Sequence, residues 1–198
     1  MITLIIIAVT CIVSYMAFQD PALFHKLSFN AYDVAHRKQY YRLFTNGFVH
    51  AGWEHLLLNM FVLYSFGQTQ EMVFSYYRGW IFFPLLYLLA LPASCIGALL
   101  KYKDNPGYTA VGASGAVNAI VFSYILISPL SKLYLFFALP ISAYLFAILY
   151  LLYSSYMAKR NSDHIGHEAH ISGAFFGLIF TIATIPNVVQ NFIAQFTN

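Results

Sequence analysis

Charge is what this sequence has least of. Lys, Arg, Asp and Glu make up 9% of its 198 residues, against about 25% in an ordinary soluble domain. The acids are Asp20, Asp33, Glu54, Glu71, Asp104, Asp163 and Glu168, and none lies deep within an apolar segment. An acid inside a membrane span is the usual mark of a proton pathway or of carboxylate chemistry, so its absence argues against both. The basic residues form no run of five, and the net charge is only +3, which argues against a nucleic-acid partner. Cysteine is scarce as well. Cys11 and Cys95 both sit in apolar stretches, where buried thiols are expected rather than a disulfide framework.

What is present in excess is apolar surface, 60% hydrophobic residues with 19% aromatics. No soluble fold of this length has the interior to hide so much, so the excess is expected to face lipid. Six apolar stretches run roughly over 2–18, 54–70, 79–100, 114–128, 133–157 and 168–186. Taken as six transmembrane helices they make one all-α polytopic domain over 1–198, with no repeats and no linkers. The first stretch lacks a basic leader and a small-x-small cleavage site, and is expected to be a retained helix. Residues 19–53 mix charges (Asp20, Lys26, Asp33, Arg37, Lys38, Arg42) with aromatics (Phe24, Phe29, Tyr32, Tyr40, Tyr41, Phe44). A long loop of that composition is expected at the membrane interface. Eight of the ten basic residues fall in the odd-numbered loops, which by the positive-inside rule puts this first loop in the cytoplasm.

The fourth stretch opens at Ser114 and is closed by Ser128-Pro129. Fifteen residues at about 1.5 Å each reach about 22 Å, short of a hydrocarbon core of about 30 Å. One end must stop below the surface, and the loop 101–113 must descend to meet it. Non-helical backbone at that depth survives only buried in protein or lining a water-filled cavity. Ser114 therefore stands at the floor of an expected cavity.

Three groups of residues are candidates for chemistry. Ser114 lies in Gly112-Ala113-Ser114-Gly115. A serine there is often only a helix cap, but glycines allow close backbone approach and the free first-turn N–H groups suit an oxyanion. The pattern is not the nucleophile elbow of soluble hydrolases, because Ala116 replaces its second glycine. His170 opens the sixth stretch, with Gly173 and Gly177 on its face. Gly115 and Ala119 offer the same small-residue spacing, and if the two stripes meet, Ser114 lands beside His170. His55 and Asn59, at i and i+4, share a face of the second stretch. They are either an interhelical hydrogen-bonding pair or donors to an anion, since an unpaired buried amide costs roughly 2–7 kcal/mol.

Taken together these motifs resemble the rhomboid family of intramembrane serine proteases, in its minimal six-helix bacterial form. The family's G-x-S-G is here Gly112 to Gly115. Its H-x-x-x-N is His55 and Asn59, and its sixth-helix histidine with small residues is His170, Gly173 and Gly177. Its first-loop aromatic–Arg pair is Tyr41-Arg42. His50, five residues before His55, and Glu71, just past the second stretch, also match. One position departs. Four residues after the nucleophile the family often has an aromatic that stacks on the histidine; here it is Asn118.

The resemblance implies that Ser114 is the nucleophile and His170 its base, as a dyad. It implies that the oxyanion is held by the Ser114 N–H, His55 and Asn59, with no metal or cofactor. The partners implied are transmembrane protein substrates and membrane lipid. The location implied is the bacterial inner membrane, with both termini cytoplasmic, against the charge count. The fifth stretch (Phe136, Phe137, Tyr144, Phe146, Tyr150, Tyr153) resembles the family's lateral gate and residues 158–167 its cap, though ordinary packing and lipid contact explain most such aromatics. Two other readings stay open. One is a catalytically silent rhomboid-like membrane chaperone. The other is an intramembrane metalloprotease using His164, His167, Glu168 and His170, whose spacing falls one residue short of H-E-x-x-H.

Overall fold

A computed structural model of the chain describes residues 1–135, 138–160 and 166–197. The chain is mostly helical. Helix α1 (Ile2–Gln19) is followed by three short helices, α2 (Pro21–Leu27), α3 (Ala31–Arg37) and α4 (Arg42–Thr45). A 3-10 turn (Asn46–Phe48) then leads into α5 (Trp53–Tyr77) and α6 (Phe82–Tyr102). Next come α7 (Ser114–Ile127), α8 (Ala143–Arg160), α9 (His167–Thr184) and α10 (Val188–Thr197). Two antiparallel ladders complete the fold: β1 (Phe29–Asn30) with β2 (Thr109–Ala110), and β3 (Lys132–Leu135) with β4 (Leu139–Ser142).

Helix α1 is inside out by the standards of a soluble protein. The buried face of α1 is Thr3, Thr10, Ser14 and Ala17, while Ile5 and Ile12 are 61% and 60% exposed. Water would drive the opposite arrangement. Lipid does not, and small residues then let backbones approach. By length and composition α1 and α6 are able to cross a membrane, and α9 with α10 would make a third span if that bent pair counts as one. Helix α5 is long enough but carries Glu54, His55, Asn59, Gln68, Gln70 and Glu71. Helix α7 and the stretch Ala143–Ala158 of α8 are apolar but shorter.

Helix α7 sits in the middle. Ten of its 14 residues are buried, as expected of a helix apolar all round, and α5, α6 and α9 surround it. The tightest contact is with α9. A Cβ on Gly173 would lie 2.0 Å from the Gly115 carbonyl oxygen, and one on Gly177 would lie 2.1 Å from that of Ala119. The two small-residue stripes meet, as their spacing leads one to expect. Ser94 of α6 closes on Gly115 from the other side.

Residues 19–53 form a built layer rather than a strand of loop. Pro21 opens α2 and the Asp20 carboxylate accepts from the Ala22 and Leu23 N–H groups, a standard N-cap. Asn30 caps α3 through its oxygen and donates its amide to the Pro106 carbonyl. Arg42 is buried at the centre. Its guanidinium donates to the His25 and Ser28 carbonyls and to Gln39, and pairs with Asp33.

Three expectations are corrected. The stretch 133–157 is not one helix: Lys132–Leu135 and Leu139–Ser142 form a hairpin, and α8 begins at Ala143. Pro140, opposite Tyr134 in that hairpin, has no N–H for a helix and disfavours helical backbone at Leu139. Glu71 is not past the second helix but inside α5, which runs to Tyr77. It works as a cap in trans, accepting from the N-terminal ammonium, the Ile2 and Thr3 N–H groups and the Thr3 hydroxyl at the start of α1. The sixth helix ends at Thr184 rather than 186, and the chain turns 102° into α10 through Pro186 and Asn187, which sits at φ +55. Phe136 and Phe137, and residues 161–165 of the expected cap, lie outside the described residues.

The α7–α9 approach leaves no room for even one methyl group. Gly177→Ala is expected to lower stability by about 1–3 kcal/mol, a typical cost of overpacking. Gly52→Ala, where nothing lies within 4 Å of the added carbon, is the control. Thermal unfolding of both variants in the same detergent checks this, and equal melting temperatures would contradict it.

Candidate active site

The site is assembled at the N-terminal ends of two helices. Ser114 is the first residue of α7 and His170 lies in the first turn of α9. The Gly115–Gly173 contact brings those ends together, and His170 Nε2 stands 2.9 Å from Ser114 Oγ. Both side chains are half-buried.

The backbone that delivers Ser114 is held from below by the first-loop layer. Strand β2 pairs with β1, the Gly112 N–H donates to the Asn46 carbonyl (2.9 Å), and the Ala113 N–H donates to His50 Nε2 (3.2 Å). His50 is fully buried. Since its Nε2 accepts, its proton is on Nδ1, which donates to Ser14 Oγ (2.9 Å), and the Ser14 hydroxyl donates on to the Phe48 carbonyl (2.9 Å). Every polar atom in that chain is used, and the imidazole is neutral. Burial, with the His55 ring nearby, pushes the His50 pKa down to about 3.

Gly112 adopts φ +120, a conformation that favours glycine. A Cβ there would also lie 2.6 Å from His55 Cε1. His55 is thus wedged between the backbone just before Ser114 and the His50 ring, edge to face at 4.9 Å. One turn on, Asn59 is 6% exposed and its amide donates to the His55 carbonyl (2.9 Å). The interhelical partner considered for it is replaced by an intrahelical one, and that bond uses one of its two amide hydrogens.

The acid nearest to His170 along α9 is Glu168. Glu168, two residues away, is drawn off by Lys101 of α6 (2.5 Å), which also donates to the Ala158 carbonyl. Asn118 does not reach for His170 but donates to the Tyr150 hydroxyl (2.7 Å). The Tyr150 ring stacks on His170 at 6.2 Å and 26°. His167 lies edge-on to His170 at 5.8 Å and against Tyr153 at 5.7 Å. No group of three or more His, Cys, Asp or Glu is placed to hold a metal among the described residues; His164 is outside them.

A rhomboid-domain family model matches residues 37–187. The chain belongs to the rhomboid family. Curated relatives include rhomboid-related protein 1 of Caenorhabditis elegans, 30% identical over 78% of this chain and 43% of its own length. The mitochondrial RHOMBOID-like protein 12 of Arabidopsis thaliana is 30% identical over 67% of this chain and 43% of its own. RHOMBOID-like protein 1 of the same plant is 30% identical over 75% and 36%. The chain spans less than half the length of these relatives. Family and apolar helices together make it a membrane protein.

Sequence reasoning passed over Ser14, Asn46 and Lys101, and left Tyr150 among generic aromatics. Ser14 carried a signal, as a hydroxyl inside an apolar run. The Asn46 carbonyl accepts from the Gly112 N–H, and Lys101 donates to the Ala158 carbonyl and the Glu168 carboxylate, partners that only the fold brings near.

The neutral His50 gives a pH test. Its folded pKa lies below the ordinary 6.5, so below about pH 6.5 the unfolded chain binds a proton that the folded chain refuses. This contribution to stability is complete above about pH 6.5 and is lost as pH falls toward about 3. The parent's advantage over His50→Asn in denaturation free energy is expected to shrink between about pH 7 and about pH 4. A gap that does not change with pH would contradict it.

Proposed function

We propose that this rhomboid-family chain is an intramembrane serine endopeptidase. It hydrolyses peptide bonds in or near transmembrane segments of other membrane proteins. The observation that carries the reading is the 2.9 Å contact between Ser114 Oγ and His170 Nε2, at the head of a helix of 14 residues. That helix reaches only about 21 Å. In this reading the chain is a single multi-pass domain of the bacterial inner membrane. Helices α1, α5, α6, α7, α8 and α9 are its six membrane helices, α7 is the short recessed one, and residues 19–53 lie in the interface.

The chemistry follows from the groups at hand. Ser114 Oγ attacks the scissile carbonyl carbon while its proton passes to His170 Nε2. The oxyanion is held by the Ser114 N–H, which has no acceptor within its own helix, and by His55 and Asn59. When the C–N bond breaks, His170 returns its proton to the leaving amine. Water then attacks the acyl-enzyme, losing its proton to the same nitrogen, and the serine is regenerated. With Glu168 held by Lys101, the pair acts as a dyad without an acid. The substrate is a transmembrane segment that unwinds locally, which glycine, proline or small polar residues near the cut make cheaper.

Ser114→Ala and His170→Ala are each expected to abolish cleavage of a transmembrane substrate by purified protein, and the double variant to be no worse. A fluorophosphonate should label Ser114, and a chelator should change nothing. Turnover by Ser114→Ala would overturn the dyad. Loss of activity in chelator would favour the metal reading, and a parent that cleaves nothing and takes no label would favour the silent chaperone.

His55→Ala and Asn59→Ala separate an oxyanion role from a structural one. Losing one donor is expected to slow single turnover by about 10²–10³-fold with substrate binding little changed. Variants that melt far below the parent yet cleave at the parental rate while folded would refute the role.

A further inference from the structure

Resting on the dyad reading, we infer that Lys101 of α6 is a positioning residue for the reaction: it holds and neutralises the Glu168 carboxylate, and so sets the pH at which His170 serves as base. Formal charge is scarce on the helices around that imidazole. Helix α7 has no charged residue, α6 has Lys101 alone, and α9 has Glu168 beside its two histidines. Helix α8 carries its charges in its last two residues, where the Arg160 guanidinium lies over the Tyr156 ring at 5.3 Å. The other titratable groups facing the region are Tyr150 and His167 against His170, Tyr153 against His167, His55 of α5 behind Gly112, and Tyr108 of the loop before α7. Among the described residues of these four helices, α6 to α9, Glu168 is the one acid and Lys101 is its counter-ion.

The pair is built from three helix ends. Lys101 Nζ donates to Glu168 Oε1 at 2.5 Å and to the Ala158 carbonyl at 3.3 Å. Ala158 is in the last turn of α8, whose carbonyls have no partner within the helix. Glu168 is in the first turn of α9, where a carboxylate suits the positive end of the helix. Gly97 lets α6 close on that turn, since a Cβ there would lie 3.4 Å from Glu168 Cβ and 3.2 Å from Ser172 Oγ. The carboxylate is therefore kept on the α6 side of α9, while His170 faces Ser114 on α7. The two residues stand about 3 Å apart along an axis whose helix is about 10–12 Å across. The Glu168 side chain is only 17% exposed, so little solvent screens its charge over that range. Tyr108 already feels it: burial, and then the Glu168 charge, push the Tyr108 hydroxyl above its ordinary value.

An imidazole takes the Ser114 proton only while it is neutral. A bare negative charge nearby makes it hold its own proton to higher pH, and a bare positive charge does the reverse. With the ion pair intact the two effects oppose each other. The test follows the rate of fluorophosphonate labelling of Ser114 against pH, which reads the Ser114–His170 pair without a transmembrane substrate. Lys101→Met leaves Glu168 bare and is expected to move the acid limb up by about 0.5–1 pH unit, with a parental plateau at high pH. On that limb the labelling rate falls about three- to tenfold. Glu168→Gln keeps an acceptor for Lys101 but leaves its charge bare, and is expected to move the limb down by a smaller amount. The double variant, Lys101→Met with Glu168→Gln, is expected to return near the parent, which a loss of packing would not do. Parental midpoints in both single variants, or midpoints that move the same way, overturn the role of Lys101; with Ser114→Ala unlabelled they leave the dyad standing. Labelling that persists in Ser114→Ala overturns the dyad and this inference with it. If Lys101→Met does not fold, a midpoint in Glu168→Gln that stays or rises overturns the role.

Discussion

The contact on which the structure depends is the passage of α9 over α7 at Gly173 and Gly177. There the backbone carbonyls of Gly115 and Ala119 occupy the space where side chains would stand. In a bilayer the apolar side chains have no water to escape, so helices gain little by hiding them, and close backbone packing takes over. The stripe also fixes registry. It pins the first turn of α9 to the first turn of α7, and the serine–histidine contact is the geometric consequence. Reactive groups on two helices need no mutual attraction strong enough to find each other when the glycines beneath them leave a single way to stack.

That register would be of little use if the strand of backbone leading into α7 were loose. A helix too short to cross the bilayer needs a non-helical lead-in at depth, and each polar group of that lead-in must be satisfied. The first-loop layer does this. Asn30 takes the Pro106 carbonyl, Asn46 the Gly112 N–H and His50 the Ala113 N–H. Arg42 in turn holds the layer itself together. The opposite end of α7 is closed by α10, where Gln195 donates to the Ile127 carbonyl at 3.1 Å. The C-terminal end of the buried helix is thus finished by a side chain from elsewhere in the chain, while its first turn carries no side-chain cap.

What was legible beforehand was whatever depends on spacing along one helix. Gly173 and Gly177 against Gly115 and Ala119, His55 with Asn59, and the short reach of the helix from Ser114 are all periodicities, and the structure carries each of them. What was illegible depends on chemistry between distant segments. Glu71 looked like a residue after a helix because the polar run from Gln68 to Glu71 interrupts the apolar stretch, whereas α5 continues to Tyr77 and Glu71 meets the start of α1. The stretch 133–157 looked continuous because hydropathy does not register the missing N–H of Pro140. The partner of Asn118 was open, since an amide on an apolar face announces a need without naming who meets it.

That last case bears on what surrounds the imidazole of His170. A carboxylate orients an imidazole by accepting its second N–H and also stabilises the imidazolium that forms. An aromatic ring gives the first service by contact and part of the second, because the negative face of its π-system attracts a cation lying over it. It also brings no formal charge to the site. A buried carboxylate there would raise the cost of the resting state, since an ionised group in low dielectric needs several compensating bonds. The one acid within a turn of His170 is instead neutralised by Lys101 at the rim. The scarcity of charge that marks this sequence from its first reading thus extends to the candidate catalytic centre, where the rings of Tyr150 and Tyr153 on α8 lie against His170 and His167.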